Sequence, residues 1–319
     1  MREKLFYTAF GLRIGSEIRL PLVELKGPAE RLDVQISLEN SARPLLSTPK
    51  AFTYEDTPVQ SIVFRIPKVA IFEITLTNEI KIFPEPNAQI DAIVLFLLGS
   101  AFGVILHRQE AVVLHGSAVK IDEGAIIFLG PSGIGKSTLA TAFAQNGFSL
   151  LTDDVAFVKF EMENACVIPS YPQTKLWRES LDALSIPSKE LKSLYSRINK
   201  FSVRMDRAFE AKPQMLHAIF ILETHLESLS KLIHFDRIFG AEIYSALHKN
   251  TYRVEFLSQI GSPRRHFQYC ARLAQKVPVY RLSRPVEGIS SRLIAEESLK
   301  FLKKERGKES EFNSFNKCS

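Results

Sequence analysis

The residues best suited to chemistry lie in one stretch, Val112 to Val158. At its centre is Gly130-Pro131-Ser132-Gly133-Ile134-Gly135-Lys136-Ser137, which fits the pattern G-x-x-x-x-G-K-[ST]. Glycines permit backbone dihedrals that a Cβ forbids, so successive N–H groups can turn inward around phosphate oxygens. A helix starting near Lys136 adds the positive end of its dipole. In such a loop Lys136 reaches the β- and γ-phosphates and Ser137 ligates Mg²⁺. The expected nucleotide-binding set is therefore Gly130, Pro131, Ser132, Gly133, Ile134, Gly135, Lys136, Ser137 and Thr138, with ATP and Mg²⁺ as cofactors. The pattern means little unless a strand precedes it and a helix comes after it. Ala125 to Leu129 is a short apolar run of buried-strand type, and Thr138 to Gln145 is rich in helix formers, with Gly147 where a helix would stop.

Two further groups lie close in sequence. Phe148 to Thr152 reads as a strand, and it ends in Asp153-Asp154, the first of them 17 positions after Lys136. Upstream, Leu114-His115-Gly116-Ser117 closes another apolar run. One loop, one histidine and two carboxylates are thus expected at the ends of neighbouring strands, where open α/β sheets place their sites. Adjacent carboxylates repel unless a cation or a proton compensates, which argues against an idle turn.

His115-Gly116, the GPSGIGKST loop and Leu150-Leu151-Thr152-Asp153-Asp154 resemble the catalytic core of the bacterial HPr kinase/phosphorylase family. More narrowly, the chain resembles the HPr-kinase-like proteins that phosphorylate a serine near the C-terminus of a lasso-peptide precursor. The resemblance implies an ATP- and Mg²⁺-dependent serine kinase. It makes Asp153 the general base, places Asp154 with Ser137 near the metal, and sets His115 and Lys136 by the γ-phosphate. Lys175 and Arg178, in the Pro172-to-Trp177 region and just after it, are the basic residues that would meet phosphate or substrate. The chain departs from the family proper in having Thr138 directly after the loop serine, where an acidic residue is usual, and in lacking the Gly-rich signature after the aspartates. These departures favour a kinase acting on a peptide. A true HPr kinase/phosphorylase regulating sugar uptake and a non-catalytic, nucleotide-gated peptide-binding module are the alternatives. The related kinases assemble as hexamers, so a homo-oligomer is also implied.

These groups need elements to position them. The expected fold is α/β: a P-loop kinase core of the HPr kinase type, a mixed sheet with flanking helices, preceded by a smaller β-rich domain. Segments 5–10, 32–38, 61–66, 70–76 and 79–83 carry alternation or β-branched residues, with Thr77-Asn78 as a turn between the last two. Pro84-Glu-Pro86 breaks this pattern, and a buried helix is read from about Ala88 to Arg108. The boundaries expected are 1–90 for the β-rich domain, 91–303 for the kinase-like domain and 304–319 for a polar tail that frays. Strands are also read at 155–160, 164–168, 216–222 and 279–282. Helices are read at 178–184, 188–197 with Ser188 as N-cap, 238–247, 267–274 and 289–302.

Composition narrows the classes. With 319 residues, 45% hydrophobic and 24% charged, the chain can bury a sizeable core. The net charge of +6 is spread along it, and no nucleic-acid-reading motif is present, so no nucleic-acid partner is expected. Cys166, Cys270 and Cys318 form no close pair, which points to a reducing compartment and two buried, inert thiols at the first two positions. The run Ala92 to Leu106 is short for a membrane span, and the N-terminus has no signal-peptide core. A soluble, cytoplasmic protein with a peptide or small-protein substrate and no membrane partner is the expectation.

Overall fold

The computed structural model describes residues 4–27, 30–39, 61–187, 191, 193–195, 198–225, 232–260, 263–286 and 288–315. It is mixed α/β, with three sheets. The first is built from the alternating segments near the N-terminus: β1 Leu5–Ala9, β2 Leu12–Ser16, β3 Val23–Glu24, β4 Val34–Leu38, β5 Ile62–Ile66, β6 Ala70–Ile74 and β7 Glu79–Pro84, in the order β3-β1-β2-β4-β7-β6-β5. Val34 and Ile36 point into the core as the period-2 pattern requires, and Asn78 takes a positive φ of 60° in the β6–β7 turn.

One helical run comes next, α1 Ile90–Phe96, a π-helical turn Leu97–Ala101 and α2 Phe102–His107. It is long and apolar enough to cross a membrane, but most of it is buried inside the protein. Its glycines have a local cause: a Cβ on Gly99 would sit 2.8 Å from the Tyr252 hydroxyl, and one on Gly103 would press on the same ring. The π turn lies where that tyrosine packs, next to the segment 250–252 that borders the phosphate-binding loop.

The second sheet carries β8 Ala111–Ile121, β9 Gly124–Leu129, β10 Ser149–Thr152, β11 Val155–Glu161, β12 Asn164–Ile168, β16 Gln214–His225, β17 His234–Arg237 and β18 Val279–Pro285. Strands β9, β16 and β18 run parallel. The long β8 pairs with β11 through its first half and with β9 and β10 through its second. Helices α3 Lys136–Gln145 and α8 Ser291–Phe315 cover one face through Phe143, Phe220, Tyr280 and Ala295. Helices α5 Ala241–Lys249 and α7 Pro263–Lys276 cover the other through Leu247, Cys270 and Leu273. Short α4 Arg178–Ala183 and α6 Phe256–Gln259 and a 3-10 turn at Asp206–Ala208 complete the described helices.

The third sheet, β13 Gln173–Trp177, β14 Ser193–Tyr195 and β15 Ile198–Arg204, corrects the sequence reading. Residues 193–195 are strand, not helix, and Leu191 is in neither; Ser188 and the other residues of that expected helix fall outside the described residues. Residues 193–195 pair with β15, which itself pairs with β13 over five residues, so ladder bonds override the local helix signal. The last helix, read as ending at 302, runs on as α8 to Phe315. Cys166 and Cys270 are buried and free, and burial pushes the Cys270 thiol up to about 12; Cys318 lies outside the described residues.

Candidate active site

The loop leaves β9 at Gly130 and enters α3 at Lys136. Gly130, Gly133 and Gly135 take φ of 138°, 84° and 105°, which explains the glycine spacing of the motif. A Cβ on Gly130 would also come within 2.9 Å of the Leu222 carbonyl oxygen. Lys136 is buried, and its Nζ donates to the carbonyl oxygens of Gly130 at 2.8 Å and Pro131 at 3.0 Å. Burial lowers its pKa, against the pull of Asp153 and Asp154.

The two aspartates sit where β10 gives way to β11. A register irregularity between Leu150 and Thr152 precedes them, and Asp154 itself has a positive φ of 77°. That dihedral turns the neighbouring carboxylates to different sides. Asp153 points at the loop and is 3% exposed. Its Oδ1 accepts from Ser117 Oγ at 2.6 Å and Ser137 Oγ at 2.8 Å; its Oδ2 accepts from Thr174 Oγ1 at 2.9 Å and Lys175 N at 2.8 Å. Four donors take up its lone-pair sites.

Asp154 points the other way. Its Oδ2 accepts from Lys175 Nζ at 2.8 Å, and its Oδ1 lies 3.3 Å from His115 Nδ1. His115 Nδ1 also lies 3.1 Å from the Asp154 carbonyl oxygen. Burial alone would raise this carboxyl; the Lys175 ammonium, and then His115, outweigh it and hold Asp154 well below the usual carboxylate range. Lys175 is raised in turn, because Asp154 outweighs the cost of burying the ammonium.

Two spaces meet at this pair. A narrow pocket of about 60 Å³ runs over Gly135 to Thr138 and is lined by Asp153, Lys175, Trp177 and Lys200. A broad cleft of about 920 Å³ opens beside Gly130, Pro131 and Ser132, between the C-terminal end of β16, α5 and residues 250–255. His115, Ser132 and Asp154 line both.

The structure thus brings the loop, His115, Asp153, Asp154 and Lys175 together. It does not bring Arg178, whose guanidinium lies 4.6 Å from the centroid of the Phe201 ring and which lines neither space. Ser137 faces Asp153 rather than Asp154, contrary to the metal pair that the resemblance implies. Ser117, Thr174 and Asn250 are missed by sequence reasoning. Ser117 alone carries a local signal, since it directly succeeds His115-Gly116 on the same strand. Arg284, at the end of β18, donates to the Ile134 carbonyl oxygen at 3.0 Å and so braces the loop from the side opposite the aspartates. Among the described residues no group of three or more His, Cys, Asp or Glu side chains forms a metal cage. A hydroxyl and a carboxylate oxygen from Ser137 and Asp153 nevertheless suit Mg²⁺, which is commonly bound by one or two protein oxygens together with substrate phosphates.

No family model matches the chain, and no curated protein matches it. Among solved structures it is similar to the HPr(Ser) kinase/phosphatase from Coxiella burnetii, at 14% identity and a TM-score of 0.33, over 62% of this chain and 98% of that one.

Proposed function

We propose that this chain is an ATP- and Mg²⁺-dependent kinase that transfers the γ-phosphoryl group to a serine hydroxyl of a peptide or small protein, with a lasso-peptide precursor as the favoured acceptor. The observation that carries this reading is the division of labour between the two adjacent aspartates at a phosphate-binding loop. Asp153 is tied to Ser137, the loop residue that would hold the metal, while Asp154 stands between the narrow pocket and the broad cleft.

This geometry supports roles exchanged from those the resemblance implies. Asp153, buried and four-fold hydrogen-bonded, suits the metal side. Bound Mg²⁺ would neutralise charge on the β- and γ-phosphates, with Ser137 and Asp153 as the residues that hold it. Asp154 suits the acceptor side. A carboxylate held so far below its usual range is a weak base. In a loose phosphoryl-transfer transition state, orienting the hydroxyl matters more than removing its proton early. Lys136 lines the narrow pocket, and its Nζ donates to Gly130 and Pro131, which line the broad cleft; the lysine of such loops meets the β- and γ-phosphates, so the reacting end lies where the narrow pocket meets the broad cleft. That cleft, about 920 Å³, is large enough for a peptide segment. Lys175 lines the narrow pocket, as does Lys200, and of the two basic residues that the resemblance singles out it is the one placed to meet the transferring group.

Mass spectrometry after incubation with Mg–ATP tests the reading. One added phosphate on a co-encoded precursor peptide supports it, and phosphate added to HPr selects the sugar-regulating alternative. Nucleotide binding with transfer to neither, unchanged in Asp154→Asn, selects the binding module.

A further inference from the structure

The ladder between β8 and β9 runs from Ile121 opposite Gly124 to Gly116 opposite Leu129 and then ends. The next residues along would be His115 and Gly130, the first residue of the loop. At that point Asn250 enters between the two strands. Its backbone oxygen accepts from His115 N at 2.7 Å, and its side-chain Oδ1 accepts from Gly130 N at 2.9 Å. Beyond it the chain replaces β9 as the partner of β8: Leu114 pairs with Thr251, and Tyr252 N donates to Val113 O at 2.9 Å. The side-chain amide therefore does the work of a peptide group, and its Nδ2 donates to Ala246 O at 2.8 Å in the last turn of α5. Asn250 is 8% exposed, and loss of its side chain leaves Gly130 N–H without its protein acceptor.

We infer that Asn250 is a positioning residue: it fixes the loop's first amide in register with His115 and so sets the distance between the phosphate nest and the His115–Asp154 pair. The inference rests on the phosphoryl-transfer reading for its consequence, but the clamp itself can be read without nucleotide. Loss of the side chain frees Gly130 N–H and lets the loop entrance move relative to β8. Alanine or a branched apolar residue offers no acceptor, whereas aspartate keeps one.

The test uses the full chain. Amide hydrogen exchange at Gly130 and binding of a fluorescent ATP analogue with Mg²⁺ are measured in Asn250→Ala, Asn250→Asp and Ile243→Ala. Ile243 lies on α5, the helix whose Ala246 holds the Asn250 amide; it is buried and lines neither space, so it controls for general damage. Asn250→Ala is expected to speed Gly130 exchange and weaken nucleotide binding about tenfold each. Ile243→Ala is expected to lower the melting temperature while leaving both readouts within about threefold. Asn250→Asp is expected to hold Gly130 exchange within about threefold of the unchanged chain, and it keeps the test open if the alanine variant does not fold. Equal losses in Ile243→Ala and Asn250→Ala, unchanged readouts in Asn250→Ala, or free exchange in Asn250→Asp would overturn the inference. If the unchanged chain binds no nucleotide, the phosphoryl-transfer reading fails, while Gly130 exchange still decides whether the clamp exists.

Discussion

At the scale of single residues, two identical side chains side by side have been given opposite environments. Asp153 has its charge spread over four neutral donors, whereas Asp154 has a cation and a histidine. Asp154→Asn is expected to slow transfer by roughly 10²-fold, the size of a misplaced acceptor hydroxyl, with nucleotide affinity nearly unchanged. Asp153→Asn is expected instead to weaken Mg²⁺-dependent nucleotide binding, because an amide cannot accept from all four donors. Rate assays and Mg–nucleotide titrations on both variants decide, and the reverse pattern would return the base role to Asp153. A pH profile gives a second check. Lys175 keeps the Asp154 carboxyl low against the effect of burial, so in Lys175→Met the carboxyl rises and the acid limb of the rate profile moves to higher pH. An unmoved limb would remove Lys175 from that role. The loop and the aspartate pair were legible in the sequence because their chemistry is local. Their orientation was not, since it hangs on one register irregularity and one positive φ. Thr174 and Asn250 were not legible either: they are ordinary residue types delivered by distant elements.

At the scale of elements, β8 is the hub, because β9, β10, β11 and the 250–252 segment all hang on it. Gly116 permits this. A Cβ there would sit 2.7 Å from the Phe128 carbonyl oxygen, which is ladder backbone and cannot swing aside. Gly116→Ala is expected to cost on the order of 1–3 kcal/mol in chemical denaturation; a loss near zero would mean that the ladder yields. The partner segment has its own support. The Thr251 hydroxyl lies 3.0 Å from His266 Nε2, and the Tyr252 carbonyl oxygen lies 2.6 Å from His107 Nε2. Burial, with His107 and His248 nearby, pushes His266 down to about 4 from 6.5. Between those values the unfolded chain binds more protons than the folded one, so stability is full above about pH 6.5 and falls as the pH drops towards 4. The size is on the order of 3 kcal/mol. Denaturation midpoints across that window should fall with pH in the native chain and fall less in His266→Asn; parallel curves would exclude the histidine. Strands that alternate or run apolar, such as β4 and β9, were readable in advance. The two-residue β3 is too short to carry a period, and β14 and β15 exist only through their pairing with each other and with β13.

At the scale of the whole molecule, the change of architecture near residue 90 raises the question of whether the segments 1–90 and 91–303 fold separately. The packing argues that they do not. One apolar cluster joins Tyr7, Phe10, Phe64 and Phe72 of the first sheet to Phe102 of α2, Val113 of β8, Phe157 of β11, Ile168 of β12 and Phe256 of α6. The Phe10 ring packs edge-on to Phe157 and Tyr171, and Phe10 N donates to the Pro169 carbonyl oxygen at 2.8 Å. Removing the first sheet would leave the helical run and one face of β8, β11 and β12 open to water, an apolar surface far larger than a stable monomer exposes. Calorimetry of the full chain is therefore expected to show a single transition whose calorimetric and van't Hoff enthalpies agree. A chain beginning at residue 90 is expected to be insoluble or molten. Two separable transitions, or a well-folded truncated chain that still binds nucleotide, would show that the shared core is an interface between independent units. The first sheet would then be free to move relative to the loop, and Tyr252, which belongs to the 250–252 segment and packs on the π turn, would be where that motion reached the site.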